Sequence, residues 1–535
     1  MKLKLSFSLI LFAALIVIQG CVNSSSSDSV RENENEIDQG NFNEEGMPIV
    51  NETITLDFFA GQSPQSNNDD WNNIMIWEHY AEMTNIDVDF NAVPFDSILE
   101  KRNLLLTGGN LPDAFYNAHL SNLDLLKYAE QGTFIPLNNL IEEHAPNFSA
   151  LLDKYPEIKK AIIFPDGNIY SIPYLHDPKF LGLRIGAMPW INEDFLDKLG
   201  MDMPETTEAF YQYLKKVKDE DDDAIPYGGD SIDSLVGWMK GAFGLGYNGP
   251  HLYDLPPDED DLRFIPTTDN YKEMLMYINK LFEEELIEQN IFSIEHDQYI
   301  SNAAEGLYGS TVFFDPDEVF GGEALGSFEG GLPLKGPDGD QIYGDINHPA
   351  FSLGSFAITN ENQYPEETIR WIDHFFSEEG TILFFMGIED ETYHENPDGT
   401  FEYTDEITNS PEGLTLDQEI SKYLTWVGSL SPSMIKEKTY FGSESTEAAV
   451  KAANKIEPFL TDDIWPQFTY TEEESKVMSN VGSDIEKYVA EMRDKFIAGQ
   501  EPFSEWDFYV ETLQEMGLEE YMEIQRAALE RYKSN

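Results

Sequence analysis

Ile54-Thr55-Leu56-Asp57-Phe58-Phe59 opens the folded part of this 535-residue chain with alternating apolar and polar residues, ended by Gly61. A period of two predicts a strand. A helical stretch follows around Trp71–Met83, and Asp87-Val88-Asp89-Phe90 repeats the alternation. A helix around Ile98–Leu106, closed by Gly108-Gly109, then leads to a third strand in Leu111-Pro112-Asp113-Ala114-Phe115-Tyr116. Strands that alternate with helices imply βαβ units on a mainly parallel sheet, and so the α/β class. Later helices are predicted at Thr206–Lys218, Tyr271–Leu286, Pro365–Phe376, Thr446–Ile456, Glu472–Phe496 and Phe503–Tyr532.

Composition limits what such a body can do. With 100 acidic against 33 basic side chains, the formal net charge is −67. That surface repels phosphate backbones and anionic headgroups, which excludes nucleic-acid binding and electrostatic attachment to membranes. A hydrophobic share of 41% with 13% aromatics is too high for an acidic disordered chain. The length calls for more than one domain.

The chain has one cysteine, so no intramolecular disulfide and no Cys-based zinc cluster can form. Its position is informative. Lys2 and Lys4 precede an apolar run from Leu9 to Ile18, ten residues long, where a spanning helix needs about 20. Residues 1–20 therefore read as a signal peptide. Ile18-Gln19-Gly20-Cys21 resembles a bacterial lipobox, which makes Cys21 the lipid-attachment residue. Residues 21–49 then form a lipidated cysteine and flexible acidic linker.

Catalytic motifs fail one by one. There is no H-E-x-x-H, no Gly-Lys dipeptide and so no phosphate-binding P-loop, and no G-x-S-x-G elbow. A glycosidase needs two carboxylates across a cleft, and sequence spacing singles out no such pair among so many. Asp219, Asp221 and Asp223 alternate as calcium ligands would. However, Ala224 stands where a calcium loop wants glycine, and Ile225-Pro226 ends the run. No cofactor is expected; structural calcium near Asp219, Asp221 and Asp223 stays open beside a solvated charge run.

Several blocks stand in order along the chain: Thr107-Gly108-Gly109-Asn110-Leu111-Pro112-Asp113-Ala114-Phe115-Tyr116, then Gly132-Thr133-Phe134-Ile135-Pro136-Leu137 with Ala145-Pro146-Asn147. Pro165-Asp166-Gly167-Asn168-Ile169-Tyr170 and Phe195-Leu196-Asp197-Lys198-Leu199-Gly200 come next. Arg370-Trp371-Ile372-Asp373, Ser377-Glu378-Glu379-Gly380 and Met386-Gly387-Ile388-Glu389 complete the set. In content and order these blocks resemble the extracellular solute-binding lipoproteins of bacterial carbohydrate ABC transporters, family 1, and their LplA-like group in Firmicutes. The chain departs at Ile191-Asn192-Glu193-Asp194-Phe195, where relatives carry two cations and a tryptophan, and at Asp390, where they carry glycine.

The resemblance implies a two-lobed periplasmic-binding-protein-like fold of the maltose-binding-protein type, its lobes joined by crossing hinge strands. Lobe 1 is expected at 50–172 plus 305–360 and lobe 2 at 173–304 plus 361–535. The implied activity is capture of an oligosaccharide in the interlobe cleft and delivery to the transmembrane subunits of an ABC permease, without enzymatic turnover. The protein is expected as a monomer on the extracellular face of a Gram-positive cell membrane, held by its lipid alone. Alternatives are a surface-anchored glycoside hydrolase or lyase, and a peptide-binding or sensory member of the same fold.

A sugar wants aromatic plates for its C–H face and amide or carboxylate partners for its hydroxyl rim. The candidates are residues placed just after strand ends. Tyr116 and Asn117 follow the third strand, Tyr174 and Asp177 follow Ile172-Pro173, and Trp190 precedes the first helix of lobe 2. Trp238 lies in the glycine-rich stretch Gly237–Gly249, and Glu389 in the turn after Gly387. Arg184 is the candidate partner for a ligand carboxylate. Trp371, with Phe375 at helical spacing, is assigned to the core.

Overall fold

A computed structural model describes residues 40–64, 66–68, 70–316 and 326–534. The expected signal peptide and Cys21, with most of the expected linker, lie outside the described residues. Among the described residues no helix is long and apolar enough to cross a membrane.

The first strand runs Ile54–Gln62 and pairs in parallel with Ile86–Pro94 and Ala114–Leu120, Phe58 lying opposite both Phe90 and Ala114. Its alternation lasts only through Asp57; Phe58, Phe59 and Ala60 are all buried. Helices cover both faces of a parallel sheet, so its strands turn apolar throughout. Ala350–Ile358 enters antiparallel beside Ala114–Leu120, and Ile172–His176 and Met434–Ile435 complete six strands. A second, three-stranded antiparallel sheet places Met188–Asn192 between Ser310–Phe313 and Phe328–Gly330.

Each sheet has its own hydrophobic core. The first draws on Ile49 to Leu183 and on Ala350 to Ile435; the second draws on Ile185 to Ile346 and on Ala449 to Leu529. The chain therefore passes between cores three times: near Arg184, at Asn347–Pro349, and between Phe441 and Ala448.

The expected boundaries differ from this division. Residues 305–316 and 326–346 belong to the second core, because Ser310–Phe313 pairs with Met188–Asn192. Residues 361–435 belong to the first: Trp371, on helix Pro365–Asp373, is 1% exposed and packs on Phe58 and Trp77 at centroid distances of 5.4 and 5.5 Å. Strand Ala350–Ile358, at the end of the expected lobe 1, sits inside the first sheet.

Most expected helices form, with local breaks. The Glu472–Phe496 stretch contains a π-helical turn at Met478–Gly482. Phe503–Tyr532 is split by Gly517, whose φ of 102° ends Trp506–Glu515 before Leu518–Ser534 begins.

Candidate functional site

Where the chain crosses between cores, residues of both surround a cavity of about 510 Å³, within the usual range for small-molecule sites. Tyr174, His176 and Phe351 come from the first sheet, and Phe385, Trp426, Ser429 and Ser431 from the segments packed on it. Ile185, Gly186, Ala187 and Phe314 approach from the second core, and Tyr440 and Glu444 from the third crossing.

Two phenylalanines stand out. Phe314 is 38% and Phe351 39% exposed, in a chain whose other cavity aromatics are largely buried. Phe314 follows the second sheet and Phe351 opens a strand of the first, so each core presents one bare ring. Phe351 stacks on the His176 imidazole at 4.7 Å with a 16° interplanar angle. The Trp426 indole N–H donates to the Phe385 carbonyl at 3.0 Å, which fixes the ring against the wall.

The polar groups are few. Ser429 and Ser431 share a hydroxyl–hydroxyl hydrogen bond. His176 is 3% exposed, and its Nδ1 has no hydrogen-bond partner. Burial, with Arg184 nearby, pushes the His176 ring down to about 3, so it is neutral at physiological pH. Burial raises the Glu444 carboxyl, against which the Tyr440 hydroxyl donates at 3.0 Å. Gly182 lets the backbone at Glu444 come close: a Cβ there would lie 2.3 Å from the Glu444 carbonyl oxygen, so only glycine lets helix Leu181–Ile185 abut the third crossing.

The sequence candidates disperse. Tyr174 lines the cavity, its ring 5.3 Å from His176. Tyr116 lies inside the first core against Trp71, Trp77, Phe90 and Phe356. Asn117, at φ 50°, is a latch: its Nδ2 donates to the Gly61 carbonyl at 3.0 Å and its Oδ1 accepts from Leu430 N–H at 2.9 Å. It holds the wall of the cavity rather than facing it.

Trp190 and Trp238 are corrected to the second core. Trp190 is 2% exposed and donates to the Phe313 carbonyl at 3.0 Å; Trp238 is 1% exposed and donates to the Leu332 carbonyl at 3.1 Å. Both rings are enclosed on all sides by their neighbours, so no ring surface is left for a ligand. Asp177 turns inward on its own loop, accepting from Lys179 N–H at 2.9 Å. Glu389 is exposed at a separate groove with His79, Glu378 and Tyr393. Asp390 takes φ 66°, the left-handed conformation that a glycine would adopt without strain.

Arg184 donates from Nε to the Asn347 carbonyl at 3.0 Å and from Nη1 to the Pro178 carbonyl at 3.2 Å, and burial lowers it to about 10. Its guanidinium is a hinge brace outside the cavity lining. His176, Phe314, Phe351, Trp426 and Glu444 were missed by sequence reasoning. Only the aromatic and serine-rich run Tyr423–Ser433 carried a local signal for any part of this wall.

Asp219, Asp221 and Asp223 are exposed and do not converge, and among the described residues no three His, Cys, Asp or Glu side chains form a metal cluster. The reason is visible. Ile225 N–H donates to the Leu307 carbonyl at 2.8 Å and its carbonyl accepts from Gly309 at 2.9 Å, so the chain re-enters the core before a calcium loop can close.

The model of the bacterial extracellular solute-binding protein family matches residues 66–382, more than half of the chain. The chain belongs to this family. Among curated relatives of this solute-binding protein, FusA of Streptococcus pneumoniae serotype 4, a fructooligosaccharide ABC transporter substrate-binding protein, is 27% identical over 548 residues, covering 99% of this chain and 98% of FusA. Lipoprotein LipO of Bacillus subtilis strain 168 is 23% identical over 494 residues, 86% of this chain and 89% of LipO. FusA solved with kestose superposes at a TM-score of 0.75 over 90% of this chain and 100% of that one. An EF-hand mutant of FusA with fructo-nystose gives 0.74, again at 27% identity, over 90% of this chain and 100% of that one. The two-lobed solute-binding fold is thus established, and the cavity lies where its lobes meet.

Proposed function

We propose that this protein captures an oligosaccharide between its two lobes and delivers it to the membrane subunits of an ABC permease. The observation that carries the reading is the pair Phe314 and Phe351, bare rings from opposite cores around one cavity. Aromatic plates on two jaws suit the C–H faces of linked sugar rings, and serines with one carboxylate suit their hydroxyls. Closure of the hinge on ligand would present one shape to the permease. Full-length similarity to a fructooligosaccharide receptor supports the same ligand class.

Binding without turnover is the reading for the chemistry. Glu444 is the one carboxylate among the described residues lining the cavity, and glycoside hydrolysis by the usual route requires two. A peptide ligand would call for charged partners at its termini, and among the described residues the lining supplies no lysine or arginine for the carboxylate. Cys21 carries the lipid, which places the receptor on the outer face of the cell membrane as a monomer.

Calorimetric titration with kestose, nystose, maltotriose and a peptide panel, paired with X-ray scattering, tests the reading. Micromolar or tighter binding of an oligosaccharide with a smaller radius of gyration, and intact sugar recovered afterwards, is expected. Binding of peptides alone, or cleaved product, overturns it. Cys21→Ser should release the protein from washed cells into the medium; retention on the cells would end the lipid-anchor assignment.

A further inference from the structure

Besides two tyrosines, two ionisable side chains line the described wall of the interlobe cavity, and neither is a cation. His176 is buried and neutral, and Glu444 is acidic. Arg184, the nearest guanidinium the hinge offers, is tied by Nε and Nη1 to the carbonyls of Asn347 and Pro178. Burial raises the Glu444 carboxyl and Asp417 adds to that rise, while hydrogen bonds from its own backbone, Tyr440 and Ser443 oppose it and no cation contributes.

Glu444 is also placed to accept. The Tyr440 hydroxyl at 3.0 Å and the Ser443 hydroxyl at 3.5 Å both meet Oε2, and the residue's own backbone N–H also bonds the carboxylate, whose two oxygens still have lone pairs for a ligand hydroxyl. Opposite in character stands His176, whose unpartnered Nδ1 and neutral ring can accept one hydrogen bond and donate another. An unpaired buried polar atom is costly unless something satisfies it.

We propose that this cleft selects an uncharged oligosaccharide over a uronate, with Glu444 accepting a ligand hydroxyl and His176 supplying the second polar partner. The inference rests on the oligosaccharide reading above and adds the charge class of the ligand. A uronate would bring a carboxylate into a partly dehydrated cavity whose described lining holds another carboxylate and no lysine or arginine. Repulsion of that kind is how a site rejects a competitor of the right shape.

The test is calorimetric titration at pH 7.5 with neutral trimers (kestose, maltotriose, cellotriose, xylotriose) and with trigalacturonate and triguluronate. The best neutral trimer should bind about 100-fold or more tightly than either uronate. Glu444→Gln should weaken the neutral ligand by about 10-fold and narrow the ratio between classes. A uronate that binds as tightly as the best neutral trimer overturns the inference and leaves the oligosaccharide reading standing. So does a folded Glu444→Gln protein whose affinities and ratio match the parent. Should no saccharide of either class bind, both fall together. The parent protein alone decides the ratio, so the test survives a variant that fails to fold.

Discussion

Arg184 and Asn347 hold each other by three hydrogen bonds across the crossing between cores. The Asn347 backbone N–H and its Nδ2 donate to the Arg184 carbonyl at 2.8 and 3.2 Å, and Arg184 Nε donates to the Asn347 carbonyl at 3.0 Å. Both residues belong to segments that leave one core and enter the other, so the clasp fixes the register of two hinge segments at once. Arg184→Ala would strand two buried-side carbonyls, those of Asn347 and Pro178, and should cost about 1–3 kcal/mol in urea unfolding. Arg184→Lys should recover little, because one ammonium cannot reproduce the planar fork. Full stability in Arg184→Ala would remove the bracing role.

Trp238→Ala gives the sharpest separation between core and cleft. The indole is 1% exposed, meets Phe210 edge-to-face at 4.8 Å and donates to the Leu332 carbonyl. Truncation should destabilise the protein by about 3–5 kcal/mol. Phe351→Ala, at an exposed ring, should cost less than about 1 kcal/mol and weaken oligosaccharide binding by about tenfold. Reversal of the two patterns would return Trp238 to the cleft.

The βαβ opening was legible because its signal is local: period-two alternation in Ile54–Asp57, and helix ends marked by Gly109 and Gly200 in left-handed geometry. Which aromatics face a ligand was not legible. Trp238 and Phe351 differ in burial through packing by residues far away in sequence, and a strand or helix read alone does not carry that. The boundary of the cores slipped for the same reason. Trp371 reads as an ordinary amphipathic-helix residue, and only its contact with Trp77, 294 positions earlier, assigns its helix to the first core.

Calcium should leave this protein unmoved. Asp219, Asp221 and Asp223 are exposed and splayed, and Ile225 is drawn into pairing with the segment around Leu307. Millimolar calcium or EDTA should therefore shift the melting temperature by less than about 1 °C, since a ligand stabilises only by its occupancy of the native state. A rise of several degrees with calcium, lost in Asp221→Asn, would establish a metal loop.

His348 offers a pH test with a defined sign. It is buried at the second crossing; its Nδ1 accepts from Ala350 N–H at 3.0 Å, so the proton of the neutral ring sits on Nε2, 3.4 Å from the Tyr532 hydroxyl. Burial, with Arg184 and His251 adding repulsion, lowers the ring to about 3, against about 6.5 in an unfolded chain. The unfolded state then binds more protons between those values, so stability rises with pH across this window and is lost as pH falls from about 6.5 toward 3. At pH 5 the penalty from this one group is about 2 kcal/mol. Asp345, Asp373 and Glu444, each raised by burial, work in the opposite direction on acidification. The comparison must therefore be between variants. His348→Asn keeps an acceptor for Ala350 and removes the titration, so relative to the parent it should gain about 2 kcal/mol on moving from pH 7.5 to pH 5 in urea unfolding. Parallel pH profiles for the two proteins would show that the imidazole is not held neutral.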